Sequence, residues 1–352
     1  MAISIRLLHE HEKELVNNFF NIVYKANRSL ENFEWEFFNG PFGKAIYVIA
    51  IDEAVVTHTK IVGIQCAIPI ELISSKGIIL LTAKSEDTLV DADYRGQKIF
   101  ERMYDVLFME CRKAGIKYVW GFTPAQKAFE RIGFSIPFKT EQALLVFNVM
   151  RSYQYLKSLN PQNRLLDKVK IFGLCVLSWL KGFKHMTVKP SEIKETPLHA
   201  RTILFQNFYQ HLNYFTLNET EEYMKWRLLQ NPFSNSYKGF QTIQKEEVVI
   251  DALINIRYNV SYIEQLMSRP GVKIRNTLAA LVRVVRKQNS PLIRAFCFST
   301  NDLLKSQGRA LSATGFKYLK RGNYFVWKSL DDENVIQPEQ LLINRLFTQG
   351  NI

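Results

Sequence analysis

With 352 residues, 47% of them apolar, and a formal net charge of +13, the chain carries enough apolar material for one large core or two ordinary ones, which excludes a disordered or fibrous protein. Its four cysteines, Cys66, Cys111, Cys175 and Cys297, lack any C-x-x-C spacing, so neither a disulfide framework nor a structural zinc site is expected. The N-terminal stretch "MAISIRLLHEHEKEL" is charged where a secretory leader is apolar, and no apolar run reaches bilayer-spanning length; the expectation is a cytoplasmic chain.

Taken in order, residues 1–150 predict helix, strand, strand, strand, turn, helix, strand, helix, strand. Residues 46–51, 61–70 and 77–90 alternate or run apolar as strands do. Ile99, Phe100, Met103, Val106, Leu107, Cys111 and Ala114 then recur at helical spacing up to a stop at Gly115. "KYVWGF" reads as a short buried strand. After it, Thr123 as N-cap, Pro124 at N1 and Gln126 at N3 open a short helix that Gly133 closes, with Phe134 folding back on Phe129. Residues 151–189 predict a connector with one or two helices. Its run from Ile171 to Leu180 is apolar nearly all round, which suits a helix buried between domains, while its lysines and Trp179 permit a place on a membrane surface.

An internal repeat runs through the chain. "WEFFNGPF" from Trp35 and "WRLLQNPF" from Trp226 keep their Trp, Pro and Phe at one offset of 191 residues, and "AFERIGF" ending at Phe134 answers "ALSATGF" ending at Phe316. Two diverged copies of one unit are therefore expected. Charge is divided unequally between them. Residues 1–150 hold 17 Lys and Arg against 18 Asp and Glu, and the remainder holds 29 against 15, an asymmetry that suits polyanions such as nucleic acid or anionic lipid. Within the basic part, Arg283, Arg286 and Lys287 cluster on one helix, most simply as a solvated face.

The stretch "LVDADYRGQKIFERM" joins a strand end to a helix start through an Arg-Gly turn. Backbone N–H groups and the positive end of a helix converge at such a turn, Arg95 adds charge and Gly96 adds backbone freedom, which together suit a pyrophosphate. "LVDADYRGQKIF" and "GIKYVWGFTPAQKAFERIGF" resemble the coenzyme A-binding core of the GNAT acyltransferase superfamily, whose pattern is V-x-P-x-[YF]-R-G-x-G-[IV]-G followed by A-x-x-[FL]-Y-x-x-x-G-F. Val90, Tyr94, Arg95, Gly96, Gln97 and Ile99 match, as do Ala125, Phe129, Gly133 and Phe134 in part. Ala92, Lys98 and Phe100 depart from it, and Phe129 stands where many members carry the tyrosine that protonates the departing thiolate.

The resemblance implies an α/β (α+β) fold of two GNAT-like domains, each a mixed, mainly antiparallel sheet flanked by helices: 1–150 binding acyl-CoA, 151–189 connecting, and 190–352 a degenerate copy lacking the loop. It implies transfer of an acetyl or other acyl group from acyl-CoA to an amine or hydroxyl of a small molecule, such as an amino sugar or saccharide precursor, with no metal. Thr88, Leu89, Val90, Arg95, Gly96, Gln97, Lys98, Ile99, Phe100 and Phe129 would meet the coenzyme. Glu86, and next to it Asp87, is the candidate base, since acyl transfer needs a nucleophile freed of its proton. Asp91 and Asp93 are expected to face solvent, away from the phosphates. The alternatives are a Fem-type transferase using aminoacyl-tRNA, which the basic second half would suit, and a binding module without catalysis. His9 and His11 lack a third metal ligand, and His58, His185, His199 and His211 form no local pattern.

Overall fold

Apolar alternation builds the first sheet, and a computed structural model describes residues 3–55, 59–159, 164–233, 236–298, 300–319, 322–331 and 336–348. The first copy supplies β1 (Ile3–Leu7), α1 (Lys13–Tyr24), α2 (Leu30–Phe37), β2 (Ile46–Asp52), β3 (Ile61–Ser74), β4 (Ile79–Val90), α3 (Ile99–Lys113), β5 (Tyr118–Thr123), α4 (Gln126–Arg131), β6 (Ser135–Lys139) and β7 (Glu141–Val146). α5 (Val149–Ser158) and α6 (Leu165–Gly182) follow. The second copy supplies β8 (Lys194–Thr196), α7 (Thr202–Tyr209), β9 (Phe215–Leu217), α8 (Glu221–Met224), β10 (Ser236–Gln244), β11 (Glu247–Arg257), β12 (Val260–Ser268), α9 (Ile274–Lys287), β13 (Leu292–Cys297), α10 (Asp302–Thr314), β14 (Lys317–Leu319) and β15 (Tyr324–Ser329).

One sheet has the order β1-β2-β3-β4-β5-β15-β6, with β9 on β3, and the other β14-β7-β13-β12-β11-β10-β8. Each is mixed and mainly antiparallel, the parallel pairs being β4 with β5 and β12 with β13. The last strand of each copy has been exchanged: β15 lies between β5 and β6, and β7 lies between β13 and β14. The compact units follow that exchange. One comprises Met1–Pro137, Phe215–Phe233 and Tyr324–Pro338, and the other Phe138–Tyr214, Ser234–Asn323 and Glu339–Ile352, so each draws on three stretches of chain instead of the consecutive ranges 1–150, 151–189 and 190–352.

In the first unit α3 buries Met103, Tyr104, Leu107 and Phe108 against Val48, Ala50, Val62 and Ala83 of the sheet. In the second, α9 packs Leu278, Leu281, Val282 and Val285 against Ala252, Ile254 and Ile293. The repeated helix ends are alike. Gly133 (φ +83°) and Gly315 (φ +106°) are left-handed, and Phe134 N–H donates to the Phe129 carbonyl as Phe316 N–H does to Leu311, both at 3.1 Å.

Two local expectations change. The helix after β5 starts at Gln126, because Thr123 is still paired with Tyr324 in the sheet and its hydroxyl accepts from Ala125 N–H instead of capping the helix. α6 is not buried all round. Cys175, Ser178 and Gly182 face inward, while Leu165, Leu166, Val169 and Leu180 are exposed.

Candidate functional site

The site begins where the first sheet splits. β4 and β5 pair only over Thr82–Lys84 and Tyr118–Trp120. Beyond that, Leu89 and Val90 stay with β3 while Gly121–Thr123 stay with β15. The arm Ser85–Val90, paired with β3 along one edge, thus turns its other edge of backbone N–H and C=O groups into a fork, free of a strand partner on that side among the described residues. Gly121 lets the two backbones meet at the apex, since a Cβ there would lie 3.0 Å from the Ser85 carbonyl oxygen.

The β4 arm is bulged. Ile64 pairs with Leu89 but Cys66 with Glu86, leaving an extra residue on β4, and Asp87 takes up the strain in the left-handed region at φ +48°. On the α3 side, Ser85 Oγ lies 2.7 Å and Thr88 Oγ1 3.4 Å from the Tyr104 hydroxyl, while Gln65 donates to Ser85 Oγ at 3.1 Å. Burial pushes the Tyr104 phenol well up, so it keeps its proton.

The opposite face of the arm is ionic. Arg28 Nη1 reaches Asp87 Oδ2 at 2.8 Å, and the Tyr47 hydroxyl donates to the same oxygen at 2.8 Å. Burial pushes the Asp87 carboxyl up and Arg28 pulls it back. Buried Lys84 pairs with Glu86, whose side chain keeps 35% of its exposure. From α2, buried Glu36 joins the cluster; burial first, then the charges of Glu86 and Asp87, raise its carboxyl to about 7. With Glu36 protonated below about 7, the Asp87 and Glu86 carboxylates balance Arg28 and Lys84, and Glu86 is the carboxylate of the set that still reaches solvent. Glu36 was missed by motif matching. Its signal is a carboxylate set within the aromatic run "FEWEFF".

Past Val90 the chain makes a tight anchor and then a turn. Asp91 accepts from Asp93 N–H at 3.0 Å, the buried Tyr94 ring donates its hydroxyl to Asp52 at 2.7 Å, and Arg95 Nε donates to the Val90 carbonyl at 3.3 Å. Asp93 is exposed and Asp91 half-buried. Arg95, Gly96, Gln97 and Lys98 are exposed. Gly96 (φ +83°) and Lys98 (φ +57°) are both left-handed, and α3 starts at Ile99 with no side chain capping its first N–H groups. That leaves those donors, the helix dipole, Arg95 and Lys98 at one exposed spot, an arrangement suited to a diphosphate. Lys98 takes the conformation for which a glycine loop is selected, at a backbone cost of about 1 kcal/mol.

The family model described as an acetyltransferase (GNAT) domain matches residues 4–136. Residues 4–136 thus resemble a GNAT acetyltransferase domain. The fold of the whole chain is that of a tandem GNAT protein. It resembles a tandem GNAT protein from the clavulanic acid biosynthesis pathway (TM-score 0.54, 10% identity, covering 95% of this chain and 100% of that one). It is also similar to a GCN5-related N-acetyltransferase from Anabaena variabilis (0.61, 8%, 94% and 73%). A third likeness is to Saccharomyces cerevisiae N-myristoyltransferase with bound myristoyl-CoA (0.57, 11%, 92% and 82%). No curated protein sequence matches the chain.

Within the stretch that resembles a GNAT domain, Glu86, Asp87, Thr88, Leu89 and Val90 lie along one arm of the fork, and Arg95 to Lys98 form the turn at its end. Ile99 and Phe129 are buried in the core below. Phe129 packs on Phe100, Tyr104 and Phe134 with ring centroids at 5.6, 5.7 and 5.2 Å, so Phe100 is drawn toward the core as well. Among the described residues no His, Cys, Asp or Glu cluster could hold a metal. His58 lies outside them.

The second copy also forks, after Ser261–Ile263 pair with Ile293–Ala295. Its connection from β12 to α9, Arg269 to Lys273, has five residues where the first copy has eight. Its fork is filled by its own chain. Arg345 pairs with Glu264 on one arm, and its guanidinium lies 5.3 Å from the Phe296 ring on the other and 4.3 Å from the Tyr262 ring in the paired stem.

Proposed function

We propose that the protein transfers an acyl group from a coenzyme A thioester to an amine or hydroxyl of a small acceptor, and that only the first GNAT domain binds coenzyme. The observation that carries this reading is the continuous path from the open β4 arm to the uncapped, doubly left-handed turn at α3. Arg95, Lys98 and the N–H groups of Gly96, Gln97, Ile99 and Phe100 suit the diphosphate, and the backbone of Thr88 to Val90 suits the pantetheine. Arg345 in the other fork and the short loop beside it support a single coenzyme site.

The acceptor is best read as an amine, because the half-exposed Glu86 carboxylate is placed to hold an ammonium and take its proton. An amino sugar, the acceptor class carried by the family resemblance, is such an amine. Glu86 is the base: it is the carboxylate of the cluster that retains solvent access, whereas Asp87 is tied to Arg28 and Tyr47. In this scheme Glu86 accepts a proton from the acceptor ammonium, the freed amine forms the C–N bond, the nitrogen of the tetrahedral intermediate gives its surplus proton to water as the C–S bond breaks, and the thiolate takes a proton back from water. A thiol with a pKa near 8.5 leaves tolerably well without an acid, as Phe129 requires.

Calorimetry with acetyl-coenzyme A, followed by release of free thiol over a panel of amino sugars, tests the reading. Binding at one site per chain with thiol release supports it. Binding without release over any amine would favour the second reading, a coenzyme-binding module, to which the engaged Asp87 lends support. No binding, or two sites, would overturn both the site and its uniqueness, and binding of aminoacyl-tRNA instead would favour a Fem-type transferase.

A further inference from the structure

α6 is oriented the wrong way round for a protein surrounded by water. Its inward positions are small: Cys175, Ser178 and Gly182 are buried. That orientation is locked by hydrogen bonds, because Ser178 Oγ donates to the Leu144 carbonyl at 3.2 Å and accepts from Val146 N–H at 3.1 Å. Gly182 allows no rotation either, since a Cβ there would meet the Leu145 side chain at 3.0 Å. Ile171 and Leu174 pack partly against the core, while the other large apolar residues of the helix point outward. Leu165 is 76% exposed, Leu166 72% and Val169 62%, and Phe172, Leu177 and Leu180 continue the stripe. Isolated exposed apolar residues are ordinary, but a stripe along an entire helix marks an interaction surface.

The charge beside the stripe names the partner. At about 100° per residue, Lys170 and Lys181 flank one side of the stripe and Lys168 the other. Residues 151–189 contain eight Lys and Arg and a single acidic residue, Asp167. An apolar stripe bordered by lysines matches the acyl chains and headgroups of an anionic bilayer, and Trp179, 38% exposed and stacked edge-on against Phe183 at 5.1 Å, is of the residue type that settles at that boundary. A protein partner would have no comparable need for lysines on both flanks. No helix among the described residues is long and apolar enough to cross a membrane, so α6 would lie along the surface.

We propose that α6 docks the protein on an anionic lipid surface, a role that stands independently of the acyl-transfer reading. The test is co-sedimentation of the full chain with vesicles of phosphatidylcholine, with and without phosphatidylglycerol. Binding should need phosphatidylglycerol, weaken with salt, and shift the Trp179 emission to the blue. Trp35, Trp120, Trp226 and Trp327 are all buried, so an added aqueous quencher reads Trp179. Leu166→Glu with Leu180→Glu should lower partitioning at least tenfold. Lys170→Gln, Lys181→Gln and Lys184→Gln together should lower it roughly a hundredfold. All five positions are exposed, so the variants should melt like the parent; if the glutamate pair misfolds, the glutamine triple decides. No partitioning, or partitioning indifferent to lipid charge and to both variants, overturns the proposal. So does a lipid-free dimer in sedimentation velocity that the glutamate pair dissociates, which would make the stripe a contact between copies.

Discussion

At the scale of single residues, the site rests on a few side chains whose surroundings set their chemistry. Arg95 is exposed and its side chain, among the described residues, bonds to the Val90 carbonyl alone, so Arg95→Ala should leave stability nearly unchanged. It should weaken coenzyme binding roughly ten- to a hundredfold by calorimetry, the range of one charge-assisted contact. Gly96→Val tests the backbone separately. A Cβ there meets nothing within 4 Å, so any loss comes from the left-handed φ of +83° alone. Glu36 gives a pH signature. Its carboxyl sits at about 7 in the fold against an ordinary 4.5. Between those values the folded chain therefore holds a proton that the unfolded chain has released, and Glu36 erodes stability as pH rises, up to about 3 kcal/mol above neutrality. Glu36→Gln removes that titration. The variant should gain over the parent in thermal melts as pH goes from about 5 to about 8, and an equal difference at both values would show that Glu36 ionises normally.

At the scale of elements, the repeat has a physical reason. The indoles of Trp35 and Trp226 stack at 5.1 Å, and each donates its Nε1–H to the other's backbone carbonyl, at 3.1 and 3.0 Å. Both rings are buried, so each bond is a desolvated one. Trp35→Phe and Trp226→Phe should each cost about 1–2 kcal/mol in urea unfolding. The double variant should cost less than their sum, because the first substitution already removes the stack; strict additivity would show the rings to be independent. Strands β2, β3 and β4 and helix α3 were all legible from periodicity, with α3 set between the turn and Gly115. The inward face of α6 was not, because periodicity ranks residues by hydropathy. Here the fully buried positions are small, Cys175, Ser178 and Gly182, with Ile171 and Leu174 packing partly beside them.

At the scale of the whole molecule, strand exchange ties the two copies together. A chain of residues 1–150 would lack β15 and leave the long edge of β5 open, and β7 would be left without β13 and β14. Exposed edges of this kind pair with other chains. The fragment should therefore be aggregated or unfolded by size-exclusion chromatography and circular dichroism. A monomeric, folded 1–150 that bound coenzyme as the full chain does would contradict the exchange. The basic excess has a place at this scale too: the segment holding α5 and α6 concentrates much of it beside an exposed apolar stripe.

The sequence by itself determined the strands and helices of the first copy, the repeat, and the Arg-Gly turn, because those follow from local periodicity and from backbone demands that a few residues must meet in place. The tertiary structure decided which strand completes each sheet, since β7 and β15 each carry an apolar alternation that fits either copy and only long-range pairing selects one. It decided that Glu36, fifty residues from Glu86 in the chain, joins the same ionic cluster, and that Asp87 is engaged by Arg28 and Tyr47. Burial and charge proximity are properties of the folded chain, and no spacing in the sequence encodes them.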